Sequence, residues 1–186
     1  MEKEMLLSRG NLKIFCKVTE PDCGEIRRVV LSVHGLGGNT EDAIQTSIAE
    51  EMEIFSSATI RFDFPVHGRS PLTDEYFTLE NCKQSLMAAA QYAKEQYPQV
   101  EDLCIFATGF GAYVVLTCLE ELMDLPGKIK LVLQTPSVRM HETLLSMIGI
   151  SRATLEAMGR MGSGRDSGTP LTQGMRSERV MAVAWS

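Results

Sequence analysis

Residues Asp102 to Tyr113, Asp-Leu-Cys-Ile-Phe-Ala-Thr-Gly-Phe-Gly-Ala-Tyr, read as a buried strand, a tight turn and a helix. The spacing is that of a G-x-S-x-G turn, with Ala107 at the first small position, Gly111 at the last, and Gly109 where a serine would stand. A serine at such an apex is projected out of the turn. A neighbouring base takes its proton and its oxygen attacks a carbonyl carbon. Glycine accepts the strained backbone of the apex at little steric cost and brings no hydroxyl. Taken alone, Thr-Gly-Phe-Gly also fits an ordinary glycine-rich strand-to-helix turn.

The other residues that could do chemistry lie on two loops. His34-Gly35-Leu36-Gly37-Gly38 follows an apolar run, and its glycines let backbone amides come close to a ligand. Arg61-Phe-Asp63-Phe-Pro65-Val-His67-Gly68-Arg-Ser70 follows the next run. Asp63 and His67 could form an acid–base pair or serve only to hold the loop. His141 is expected at the surface of a helical segment. The five cysteines, Cys16, Cys23, Cys82, Cys104 and Cys118, include no C-x-x-C pair. Their spacing points to buried free thiols rather than a zinc site or disulfide framework. The histidines make no metal-like pair, so neither a metal nor a cofactor is expected.

The elements that must position these residues alternate in type. Leu12–Val18 reads as an edge strand in a hairpin with the first residues. Val29–His34, Ala58–Asp63, Leu103–Ala107 and Lys130–Thr135 read as further strands. A helix after Thr40, with Thr40 as its cap, would put Ala43, Ile44, Ile48 and Met52 on one face. Leu79–Tyr97, stopped by Pro98, and Ala112–Met123 read as helices. Such alternation predicts an α/β fold, a mostly parallel sheet with helices on both faces. Met140–Met161 is expected to form one or two short helices. Residues 162–186, without a single lysine, are expected to be an irregular tail whose one apolar cluster is Val180–Trp185.

The chain has 186 residues, 44% hydrophobic and 23% charged, with a net charge of −6. That length suits one domain, and the acidic balance argues against general affinity for nucleic acid or anionic membranes. No apolar run reaches the ~20 residues of a membrane span. Met-Glu-Lys-Glu-Met-Leu-Leu lacks a signal-peptide layout, so a cytoplasmic protein is expected.

In this order and strand context, the three blocks resemble the α/β-hydrolase family, in its compact esterase, lipase and serine-aminopeptidase-like branch. The second block is similar to the family's D-x-P-G-H-G-x-S loop, with Val66 in place of one glycine. The resemblance covers about residues 1–140. It implies that the Leu36 and Phe110 N–H groups form an oxyanion hole, and that Gly109 marks the place of the nucleophile. It further implies that His34 orients the oxyanion turn, that Asp63 and His67 are structural, and that Gly35, Gly37, Gly38 and Gly111 shape the turns. Leu36 and Phe110 would suit an acyl or aromatic ester.

The family's order of nucleophile, acid and histidine is not completed in this chain. Roughly 50 residues follow Thr135, Asp166 has no strand before it, and no histidine follows His141. The expected organisation is therefore a hydrolase core over 1–139 lacking its last strands, a partial helical cap over 140–161, and the tail. Three readings stay open. The chain is an ancestral serine hydrolase of carboxyl esters, impaired as it stands; a non-catalytic pseudoenzyme that binds an ester, a carboxylate or another protein; or a truncated fragment. An uncovered last strand, Lys130–Thr135, would invite self-association.

Overall fold

The computed structural model describes residues 1–22, 24–147, 149, 151 and 153. The chain divides at Pro136/Ser137 into two compact units. The first unit is built on one sheet: β1 (Glu2–Arg9), β2 (Leu12–Thr19), β3 (Arg28–Val33), β4 (Ser57–Phe62), β5 (Asp102–Thr108) and β6 (Lys128–Gln134), in the spatial order β1-β2-β4-β3-β5-β6. β1/β2 and β2/β4 are antiparallel, and the pairs from β4 through β6 are parallel. The expected α/β class holds. The hairpin forms as expected, but β2 is an interior strand and β1 is the edge. The apolar positions of β2 were legible, whereas the second partner that makes it interior, β4, comes some 40 residues later in the chain.

Strand register sorts the side chains between the two faces. Ile60, Phe62, Leu31, Val33, Leu103, Ile105 and Ala107 share one face and are all buried. α2 (Leu79–Gln96) covers this face, burying Cys82, Ser85, Leu86, Ala89, Ala90 and Ala93 at helical spacing. Its first turn is capped by the Thr78 side chain, which accepts from the Asn81 N–H at 3.1 Å. Arg9 of β1, on the same face, donates from Nε to Gln84 at 2.5 Å.

The other face carries Thr19, Thr59, Ser32 and Arg61. α1 (Ala43–Ile54) lies over it and buries Gln45 and Ala49, not Ala43 and Ile44, which are exposed. Ile48 and Met52 flank the contact, half-buried. The helix meets a polar sheet surface, so an apolar-stripe reading picked the wrong angular position. Asp42, not Thr40, stands at its N-cap. Thr40 is buried between two grips from β4 and its loop: its carbonyl accepts from Arg61 Nη1 at 2.9 Å and its N–H donates to Asp63 Oδ1 at 2.7 Å. Arg61 is only 2% exposed and is also bound to Glu2 and to Thr19.

The helix after β5 starts three residues earlier than expected and is broken once. α3 (Gly109–Thr117) begins at the turn itself, and α4 (Leu119–Met123) follows a kink at Cys118. Among the described residues β6 pairs only with β5, and its Val132 is 51% exposed. Cys16, Cys82 and Cys118 are buried free thiols and Cys104 is partly exposed; Cys23 lies outside the described residues. In the second unit α5 spans Met140–Met147 and includes His141. The rest of the expected cap, and the tail with Asp166 and Val180–Trp185, lies outside the described residues. No helix among the described residues is long and apolar enough to cross a membrane.

Candidate functional site

The site lies where the chain leaves the C-terminal ends of β3, β4 and β5. In open parallel sheets this end carries the ligand, because the loops there converge. Gly109 follows directly on the end of β5 and adopts φ +48. That left-handed backbone suits glycine and strains residues with a side chain. Among the described residues, a Cβ placed on Gly109 would meet nothing closer than the Gly35 Cα, at 4.0 Å. The apex is therefore vacant but not filled by neighbours. Gly111 is the reverse case: a Cβ there would strike the His34 carbonyl oxygen, with Val33 Cγ1 at 2.9 Å. Gly111 is needed because α3 and the end of β3 pack backbone to backbone.

The 34–38 turn lies directly against this elbow. A Cβ on Gly35 would sit 3.4 Å from Thr108 Oγ1 and 3.5 Å from the Thr108 carbonyl oxygen. The turn is closed by Gly38 N–H donating to the Gly35 carbonyl at 3.1 Å. The Leu36 N–H has no acceptor among the described residues. The Phe110 N–H falls in the first turn of α3, where a helix offers no internal acceptor.

Two histidines fasten this turn to the 63–70 loop, each reaching into the other's segment. His34 Nε2 accepts from the Phe64 N–H at 3.1 Å, and His67 Nε2 accepts from the Gly37 N–H at 3.2 Å. An acceptor Nε2 in a neutral ring means that Nδ1 carries the proton. The Nδ1–H groups then donate to the Gly35 carbonyl at 2.7 Å and the Pro65 carbonyl at 2.8 Å. The ring centroids are 5.1 Å apart. Asp63 completes the loop, accepting from the Arg69 N–H at 2.8 Å as well as from Thr40. Val66, between Pro65 and His67, is held at φ +61, a conformation unfavourable to a β-branched residue.

These contacts tell against an Asp63–His67 acid–base pair. Both ring nitrogens of each histidine are committed to backbone groups, so neither is poised to take a proton at the elbow. Burial pushes the His34 imidazole down to about 3, the neighbouring Gly35 carbonyl offsetting it in part. Burial also lowers His67, against the opposing pull of the Pro65 carbonyl, Asp63 and Asp42. Asp63 is raised by burial, in spite of the N–H groups it accepts. No group of three or more His, Cys, Asp or Glu side chains among the described residues could hold a metal ion.

One site expectation needs correction. The Phe110 ring does not face a ligand. It is 2% exposed and packs edge-on against Phe64 at 5.5 Å and Phe77 at 5.9 Å. Only its N–H could serve the site. Sequence reading also missed Phe64, Thr40 and Arg61, which act through backbone groups or from another face. The alternation of β4 would have placed Arg61 opposite Phe62, but nothing local identifies the Thr40 peptide as its partner.

The two glycines separate in their response to alanine. Gly111→Ala should destabilise the fold by several kcal/mol, since backbone must shift, whereas Gly109→Ala should cost about 1–3 kcal/mol from φ alone. Urea unfolding of both variants checks this, and equal losses would contradict the packing described. Acid should weaken the chain through His34. Its folded value is depressed below the unfolded 6.5, so its stabilisation is present above pH 6.5 and lost as pH falls toward about 3. A histidine kept neutral in the fold costs about 2 kcal/mol of stability between pH 7.5 and 5. Urea unfolding at the two pH values reads this, and pH-independent stability would contradict it.

No family model and no curated protein matches the chain. Solved structures do. Est1E from Butyrivibrio proteoclasticus, in a structure with ferulic acid bound, superposes with TM-score 0.63 at 22% identity, over 76% of this chain and 56% of its own. The Pyrococcus furiosus esterase Pf2001 gives 0.64 at 18%, over 78% of this chain and 55% of its own. XC6422 from Xanthomonas campestris, described as an α/β serine hydrolase without lid, gives 0.57 at 17%, over 78% of each chain. The chain spans little more than half the length of the first two. With the sheet order, the elbow and the two clasped loops, these likenesses establish that the chain has the α/β-hydrolase fold.

Proposed function

We propose that this chain is a glycine-elbow form of the ester-hydrolase scaffold, which keeps a place for a carboxyl ester or carboxylate and does not turn it over by an acyl-enzyme route. The observation that carries this reading is Gly109 at the apex with φ +48, where a Cβ would meet none of the described residues closer than 4.0 Å. A serine there would attack the ester carbonyl, push its electrons onto the oxygen, and expel the alcohol to leave an acyl-enzyme. Glycine has no atom to form that bond.

The binding half of the chemistry is supported separately. The N–H groups of Leu36 and Phe110 stand on the turn and on the elbow, which touch at Gly35 and Thr108. Two such donors suit the oxygen of a carbonyl or carboxylate, and one donor is typically worth about 3–4 kcal/mol to a developing oxyanion. An acyl or aromatic ester, or the acid derived from it, is the ligand class we assign. The similarity to Est1E, seen with ferulic acid, and to the Pf2001 esterase supports that class.

The chain should release no p-nitrophenol from p-nitrophenyl butyrate above a denatured control, and a fluorophosphonate should not label residue 109. Gly109→Ser alone should leave turnover low, because His34 and His67 have no nitrogen to spare as base. Stoichiometric labelling of the unmodified chain, or ordinary esterase rates from the single variant, would defeat the proposal.

A further inference from the structure

The two histidine clasps look alike but differ in what surrounds the amide each one holds. His34 and Phe64, with its N–H, are both buried, at 1% and 0% exposure. If that bond broke, the Phe64 N–H would be left unpaired away from water, at a cost of roughly 1–3 kcal/mol. Gly37 is exposed, and it adopts φ +75 in a turn of glycines. Its N–H can pass to water when His67 lets go, and glycine tolerates the backbone rotation this needs. One clasp is permanent and the other is releasable.

We infer that His67 is a positioning residue for the candidate oxyanion turn. Its unprotonated Nε2 holds Gly37, and through Gly37 the adjacent Leu36 amide; one proton on that nitrogen releases both. The balance is simple. Nδ1 already carries a proton directed at Pro65, so an added proton enters Nε2. Nε2–H then confronts Gly37 N–H, donor against donor, and the bond is lost.

The groups around His67 set when this happens. The Asp63 and Asp42 carboxylates favour the imidazolium, and burial opposes it. The His34 ring, centred 5.1 Å away, stays neutral, and Phe77, also at 5.1 Å, is uncharged. Other ties of the turn do not involve His67: His34 Nδ1–H to Gly35, Gly38 to Gly35, Asn39 N–H to Asp42 Oδ2 at 3.0 Å, and Thr40 to Asp63. Release is therefore local to Leu36 and Gly37. That it would weaken ligand binding rests on the function proposed above; the release itself does not.

The test is a pH titration of the ¹⁵N-labelled full chain without ligand, followed by amide NMR. The Gly37 and Leu36 resonances should move together along a one-proton curve with its midpoint below 6.5, while the Phe64 amide, held by His34, stays fixed. His67→Gln offers an acceptor oxygen that does not titrate. It should keep Gly37 near its neutral-pH position and abolish the curve, whereas His67→Phe should shift Gly37 at every pH. A Gly37 resonance that stays flat down to acid unfolding, or one that still titrates in His67→Gln, would overturn the inference. Because no ligand is present, failure here counts against the clasp alone, and an active esterase counts against the proposed function alone.

Discussion

The site depends on an exchange of hydrogen bonds between two loops. His34 reaches from the end of β3 to the Phe64 amide, and His67 reaches back from the end of β4 to Gly37. Adjacent parallel strands bring these loops side by side, since Val33 pairs with Phe62. The strands alone would leave the glycine-rich turn and the loop beside it free to take many conformations. The paired imidazoles select one, and require both rings to be neutral with the proton on Nδ1. Asp63 and Arg61 then grip the Thr40 peptide from both sides, so the turn is anchored at its far end too. The buried aromatic rows behind it, from Phe62 through Phe64 and Phe110 to Phe77, give the loops a rigid floor.

Against that fixed turn the elbow supplies a second set of constraints, divided between its glycines. Gly111 answers a problem of space, because β3 and α3 approach too closely for any side chain. Gly109 answers a problem of backbone angle, and there the described residues leave the space open. A hydrolase would tolerate strain at this apex in return for a placed hydroxyl. Here the strain is relieved at Gly109, while Val66 on the neighbouring loop carries a left-handed φ instead. Local strain persists only where the surroundings over-determine it, and Val66 lies between residues fixed by Pro65, His67 and Asp63. The turn and the elbow thus keep their arrangement with no hydroxyl at the apex.

Much of this was legible in the residues. Short apolar runs separated by amphipathic stretches identify the parallel sheet, and the Ala107–Gly111 spacing marks the elbow before any coordinates. What escaped were features set by long-range partners. β2 looked like an edge strand because its second neighbour, β4, lies far along the chain. α1 was rotated in expectation because Gln45 and Ala49 meet a polar sheet face, so hydrophobic periodicity gave no guide. The Phe110 ring looked available to a ligand, yet the helix turns it inward onto Phe64. The histidines were expected to hold the loops rather than transfer protons, but their exchange of partners was not foreseen, because it depends on two backbone amides that carry no signature of their own.

If the glycine elbow presents a carbonyl-binding pair of amides, as proposed, a bound carboxylate must change those amides first. Benzoate, a small aromatic carboxylate, can be titrated into the ¹⁵N-labelled chain at neutral pH, where both histidines are neutral. Saturable shifts of the Leu36 and Phe110 amides above all others are expected, with no covalent adduct by mass spectrometry. Shifts scattered over the surface, or none at Leu36 and Phe110 at saturating benzoate, would contradict it.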